Sequence, residues 1–152
     1  MPEQTNAAAP TTGPTTAADI MRPPLTTVEP SDHIAAAAYL MKRAGTTALM
    51  VLDAQTRQPA GIITEADIAH AVADGRDVNS TRIHTLMTAR PTVIKATASV
   101  REAAKVMTSG HFRHLPVVGD DGLVGIVDIT DVCRAFLEPD VSQLPADMAP
   151  PE

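Results

Sequence analysis

The chain has 152 residues, 44% of them hydrophobic but only 2% aromatic; that is room for one domain, or for two small units sharing a core of Val, Ile, Leu, Met and Ala. No apolar run approaches the roughly 18 residues that span a bilayer, the N-terminus lacks the basic start and apolar centre of a secretory signal, and the lone Cys133 excludes an internal disulfide, so a cytoplasmic protein without a membrane partner is expected. The net charge of −6 sits mostly in the ends (Glu3; Glu138, Asp140, Asp147 and Glu152), leaving 13 acids against 12 bases over residues 17–137, without the basic face that a nucleic-acid partner needs.

Residues 1–16 are largely Ala, Thr and Pro, and residues 138–152 are acidic and Pro-rich. Such segments bury little, and both are expected to be tails, the first of them disordered. Between them the sequence repeats, with a first copy at 17–80 and a second at 81–137. A shift of 66 pairs Met21 with Met87, Val28 with Ile94, Ile34 with Val100, Ala37 with Ala103, Met41 with Met107 and Leu49 with Leu115. After two extra residues in the first copy, a shift of 64 pairs Gly61 with Gly125, Ile62 with Ile126 and Asp67 with Asp131. One small gap over so long a match marks an internal duplication.

Each copy reads as strand, helix, strand, strand, helix. Short extended pieces at Leu25–Val28 and Thr92–Ile94 lead to helices with Ser31 and Thr97 as N-caps. Ile34, Ala37, Ala38 and Met41, matched by Val100, Ala103, Ala104 and Met107, fall on one helical face, and Gly45 and Gly110 stand where those helices should stop. The predicted strands follow at Ala48–Leu52 and Ala60–Ile63, then at Leu115–Val118 and Leu123–Val127, the latter pair joined by an Asp120-Asp121-Gly122 turn. Closing helices span Glu65–Ala73 and Ile129–Leu137. Helices on one face of each small sheet leave its other face apolar, and the second copy is the natural cover, related by a pseudo-twofold axis. The expected fold class is therefore α/β (α+β), with two symmetry-related clefts between the copies. Met21, Met41, Met87 and Met107 read as core, and Cys133 as a core residue on an apolar helix face.

Gly61-Ile-Ile-Thr-Glu-Ala-Asp67-Ile and Gly125-Ile-Val-Asp-Ile-Thr-Asp131-Val resemble the G-h-h-T/S-x-x-D-h signature (h, apolar) of cystathionine-β-synthase (CBS) domains. His111-Phe-Arg-His-Leu-Pro-Val117 is similar to the segment before the family's middle strand, and Asp19-Ile-Met21 and Thr85-Leu-Met87 resemble its approach to each repeat. The resemblance implies a Bateman module of two repeats packed sheet to sheet and paired into a homodimer. It implies a regulatory ligand such as AMP, ADP, ATP or S-adenosylmethionine and a regulated partner protein of unknown identity. It also implies that backbone groups around Thr26–Val28 and Thr92–Ile94 meet the adenine edge, with Ile20, Met21 and Ile62 as apolar walls. With no room for an attached catalytic domain, the chain looks like a stand-alone module.

The residues themselves allow two readings at each site. Thr64 and Asp67 flank a strand-to-helix junction, where free N–H groups and a partial positive charge attract phosphate. There the Thr64 hydroxyl donates to a phosphate oxygen and Asp67 accepts from ribose hydroxyls, or the pair simply forms a capping box. In the second copy Asp128 replaces the hydroxyl residue. It caps as well as Thr but repels a phosphate, so the clefts should differ, with a phosphate-bearing ligand preferring Thr64 and Asp67 over Asp131. Arg113 and His114 are the candidate phosphate partners or else a solvated strand edge; their counterparts, Thr47 and Ala48, are uncharged. His111, His114 and Cys133 lack metal-ligand spacing, so no metal is expected. No nucleophile–base arrangement, carboxylate pair or Walker loop appears, so neither catalysis nor a required cofactor is expected. The alternative to a ligand sensor is a ligand-free interaction module with degenerate clefts.

Overall fold

A computed structural model describes residues 14–137. Most of the N-terminal tail and all of the C-terminal tail lie outside the described residues. Thr15 and Thr16, grouped by composition with the tail, join the second repeat: the Thr15 carbonyl accepts from the Val100 N–H at 3.1 Å, and Thr16 pairs with Ser99. Among the described residues no helix is long and apolar enough to cross a membrane.

The elements run α1 (Ala17–Ile20), β1 (Thr27–Val28), α2 (Ile34–Ala44), β2 (Ala48–Leu52), β3 (Pro59–Thr64), α3 (Glu65–Ala73), β4 (Thr88–Ala89), β5 (Ile94–Lys95), α4 (Val100–Gly110), β6 (His114–Gly119), β7 (Gly122–Asp128) and α5 (Ile129–Leu137). One sheet has the order β1-β2-β3-β4 and the other β5-β6-β7. The duplication is visible in the register. Each first strand pairs in parallel with the next, Ala48↔Thr64 is matched by His114↔Asp128, and both antiparallel ladders slip at the same place, between Val51 and Leu52 and between Val117 and Val118.

Two apolar clusters lie beneath the helices, one around Ile34, Met41, Leu49, Val51 and Ile63, the other around Val100, Met107, Leu115, Val117 and Val127. A third joins the inner faces of the sheets: Ala48, Met50 and Ile62 of the first repeat against Leu123 and Ile126 of the second. It is the mutual covering that the leftover apolar faces required. The segments leading into the repeats cross over. β4, in the lead-in of the second repeat, pairs with β3 of the first. Arg22, in the lead-in of the first repeat, exchanges two 2.9 Å backbone hydrogen bonds with Ile126 of the second. The crossing brings Met21 over Gly125 and Met87 over Gly61, where a Cβ would lie 2.6 Å and 3.1 Å from the respective sulfurs. The glycine of the repeated signature is therefore the seat of the other repeat's lead-in methionine.

Several local expectations are corrected. The α2 N-cap is His33, not Ser31, and it makes no side-chain cap bond; the first free N–H groups, of Ile34 and Ala35, donate instead to the carbonyls of Thr81 and Val78. The α4 cap is Ser99, not Thr97, because Ser99 and Glu102 form a reciprocal capping box. Gly45 ends α2 in the left-handed region as expected, whereas α4 ends at His111, with φ +56°. Gly110 instead makes room for the Phe112 ring. Cys133 is exposed: its neighbour Val132 takes the core-facing position on α5, and the next residue points about 100° away. Met41 and Met107 are buried, while Met21 and Met87 are partly so.

Candidate ligand-binding site

Each copy's last strand runs straight into its last helix, and an Asp holds each junction. In the first copy the Asp67 N–H donates to Thr64 Oγ1 at 3.3 Å, and the Thr64 N–H donates to Asp67 Oδ2 at 2.9 Å. The capping reading thus holds there, but it uses one carboxylate oxygen only. In the second copy the Asp128 N–H donates to Asp131 Oδ2 at 3.1 Å, and Asp128 Oδ1 accepts from the Thr130 N–H. Asp131 is only 4% exposed. Its Oδ1 accepts from Arg22 Nε at 3.1 Å, Arg22 Nη2 at 2.9 Å and Arg134 Nη1 at 3.3 Å. The Asp131 bond and charge raise the Arg22 pKa above its ordinary value, so the guanidinium stays charged.

Two cavities meet at this pair. One, of about 480 Å³, lies between the repeats and is mainly apolar, with Pro24, Leu25, Thr26, Gly45, Ala48, Met50 and Ile126 in its walls. The other, of about 250 Å³, has a mixed lining that includes the polar and charged side chains of Thr46, Thr47, His114, Asp128, Thr130 and Asp131. Arg22, Gly45, Thr46 and Ile126 line both. Together they make one cleft with an apolar end and a charged end, contributed by both repeats.

The sequence-derived residues divide around it. Thr26 lines the apolar end, His114 and Asp131 the charged end. Val28 and Ile94 are buried strand residues, so they offer backbone rather than side chain. Thr92 and Arg113 are exposed and line neither cavity. Thr64 and Asp67 are half-buried at the matching junction of the other copy. Ile20 lines a separate cavity behind Asp131, Met21 covers Gly125, and Ile62 packs between the sheets. Pro24, Leu25 and Met50 therefore supply apolar wall in place of Ile20 and Met21. Among the described residues no three His, Cys, Asp or Glu side chains gather as metal ligands would.

Sequence reasoning missed Arg22 and Arg134. Arg134 follows Asp131 by one helical turn, a spacing that itself signals a pair. Arg22 lies 109 residues away, and only the crossing of the lead-in segment brings it near.

His114 sits under the cleft with its Nε2 against Thr47 Oγ1 of the other repeat and 3.4 Å from Asp128 Oδ2. Burial lowers its pKa below 6.5; Asp128 and Glu65 pull it up, and Arg113 pushes it further down. A proton therefore binds the unfolded chain more readily, so this residue's contribution to stability is present above pH 6.5 and is lost as pH falls through the folded pKa. We expect the His114 ring to titrate below 6.5 by NMR and Asp128→Asn to lower its midpoint further. An upward shift in that variant would show that Asp128 does not stabilise the imidazolium.

The duplicated element order, the paired signatures and the two-repeat cleft coincide with one known family, whose sequence pattern, described as "CBS domain", matches residues 17–74 and 83–138. The chain belongs to the CBS-domain family. A 17.7 kDa protein of Acidianus ambivalens is 40% identical over 112 residues, covering 73% of this chain and 66% of that protein. The match to a mitochondrial CBS-domain protein of Arabidopsis thaliana spans 39% of its length. Among solved structures, a CBS-domain protein of Agrobacterium tumefaciens superposes with a TM-score of 0.78 at 29% identity, over 84% of this chain and 97% of that one. CBSX2 in complex with AMP superposes with a TM-score of 0.66 at 29% identity, over 80% and 96%. The CBS-domain pair thus accounts for two mixed sheets, for the helices outside them and for the cleft between.

Proposed function

We propose that this CBS-domain chain is a regulatory module that holds an adenosine-containing ligand in the cleft around Arg22 and Asp131 and reports its occupancy to a partner protein. The observation that carries the reading is the make-up of that cleft. Its apolar end suits the faces of a purine, with Thr26 backbone at the edge. Its charged end offers a buried carboxylate for a ribose diol, then Thr130, His114 and Arg22 for phosphate oxygens. The AMP complex of CBSX2 supports this ligand class. Asp128 opposes a phosphate, and His114, 3.4 Å from it, offsets that repulsion only when protonated, below pH 6.5. The preference drawn from sequence for the copy with Thr64 and Asp67 is replaced by one for the Asp131 cleft, because the two cavities described above open there. Thr64, Asp67, Thr92 and Ile94 mark the matching position of the other copy. No residue is assigned a catalytic step.

Calorimetric titration with AMP, ADP, ATP and S-adenosylmethionine tests the reading. Binding of at least one of them, weakened in Asp131→Ala, is expected. A protein that binds none would instead be the ligand-free interaction module, a reading favoured by the full set of protein donors already on Asp131.

Self-association belongs to the same proposal. The outer helices expose Tyr39 on α2, Val72 on α3, and Phe136 and Leu137 on α5, the last of these 77% exposed. These are the apolar side chains that a second copy would cover. Light scattering at micromolar concentration should give twice the chain mass of 15.9 kDa. A mass equal to a single chain would count against the dimer.

A further inference from the structure

We propose that Arg22 is a ligand-responsive latch on Asp131 that makes the cleft selective for phosphorylated over neutral adenosine ligands; this rests on the adenosine reading of the cleft. Asp131 Oδ1 already accepts three N–H donors, two from Arg22 and one from Arg134. A carboxylate oxygen offers about two lone-pair directions, so Oδ1 is filled, and Oδ2, which accepts the Asp128 N–H, has room for about one donor more; both hydroxyls of a ribose diol cannot bind without releasing a donor. Arg22 is the donor placed to leave. Its backbone is held by the two bonds to Ile126, its side chain is 59% exposed, and it stands where the apolar and charged ends of the cleft join.

The other copy serves as an internal control. By the repeat alignment the counterparts of Arg22 and Arg134 are Thr88 and His70, and the side-chain bond that Asp67 accepts comes from the Thr64 N–H. The latch is a property of the second copy alone.

The selectivity follows from what Arg22 finds when it swings away. With adenosine, the guanidinium trades its two bonds to Asp131 Oδ1 for water, and the diol gains only what the latch gives up. With AMP, the released fork meets a phosphate in the same cleft, a partner equal to the one it lost. An arginine that only bound phosphate would leave adenosine affinity untouched. A latch must oppose it.

The test is calorimetric titration of adenosine and of AMP into the wild type and Arg22→Gln, with the Arg22 Nε–H resonance followed by NMR. In the wild type that resonance should be protected from exchange when free and should shift on addition of AMP. Arg22→Gln should bind adenosine about threefold more tightly and AMP about tenfold more weakly, the latter the scale of one charge-assisted contact. If the wild type binds AMP but Arg22→Gln leaves adenosine binding unchanged, weaker or undetectable, the latch is wrong while the ligand reading stands. If neither ligand binds either protein, the ligand reading itself has failed and the latch falls with it.

Discussion

Asp131→Ala should weaken AMP binding by about tenfold, near the low end of the 1.5–3 kcal/mol that a hydrogen bond to a charged group contributes. The direction follows from the loss of the buried charged acceptor for the ribose diol. The modest size follows from Arg22: the same substitution removes its partner, so the ligand no longer has to displace it. Asp67→Ala, at the junction of the other copy, should change AMP affinity by less than about threefold. Asp131→Ala also removes the acceptor of the Asp128 N–H at the start of α5, so weaker binding alone does not distinguish a lost ligand contact from a frayed helix. Asp131→Asn separates the two effects. Its amide oxygen can still accept the Asp128 N–H and keep the cap, while the charge that draws both arginines and the diol is gone. Calorimetry on the three variants, with circular dichroism to confirm the fold, decides. Equal losses from Asp67→Ala and Asp131→Ala, or full affinity in Asp131→Asn, would move the ligand out of this cleft.

The parts of this arrangement that could be read from sequence are those that depend on local period. The strands Ala48–Leu52 and the helices Glu65–Ala73 and Ile129–Leu137 lie where the apolar pattern placed them, because a strand or helix buried on one face must repeat its apolar residues at its own period. The duplication made the mutual covering of the sheets a necessity rather than a guess. What escaped was non-local. Nothing near Met21 or Met87 in sequence says that their segments cross to the other repeat, so β4 and the Arg22–Ile126 pairing went unseen. Asp128 makes the clefts unequal in sequence, with Thr64 and Asp67 expected to be preferred; the two arginines on Asp131 cannot be seen together without the crossing. Caps went wrong for a related reason. Ser31 is a good local cap, but the carbonyls of Val78 and Thr81, brought in from beyond α3, satisfy the α2 N–H groups and move its start.

That crossing also sets the largest expected effect on stability. Gly61→Ala should cost about 2–3 kcal/mol, the upper range for overpacking a filled site. Its Cβ would lie 2.5 Å from the Thr88 carbonyl oxygen and 3.1 Å from the Met87 sulfur. The oxygen belongs to β4, which is hydrogen-bonded to β3 at that register, so relief requires the two strands to part. Gly125→Ala meets chiefly the Met21 side chain, with Sδ at 2.6 Å and Cγ at 2.9 Å, and then the Arg22 carbonyl at 3.0 Å. A methionine can turn aside, so about 1 kcal/mol is expected there. The order of the two costs is the sharper expectation, because their chemistry is the same and only the neighbour differs. Urea denaturation should show the midpoint falling further for Gly61→Ala at an unchanged slope. Function should follow the opposite order: Gly125→Ala displaces Met21 and with it Arg22, so it should disturb AMP binding, while Gly61→Ala in the folded protein should not. A Gly61→Ala protein as stable as the parent would show that β4 does not press on β3, and the account of why each signature opens on glycine would fail with it.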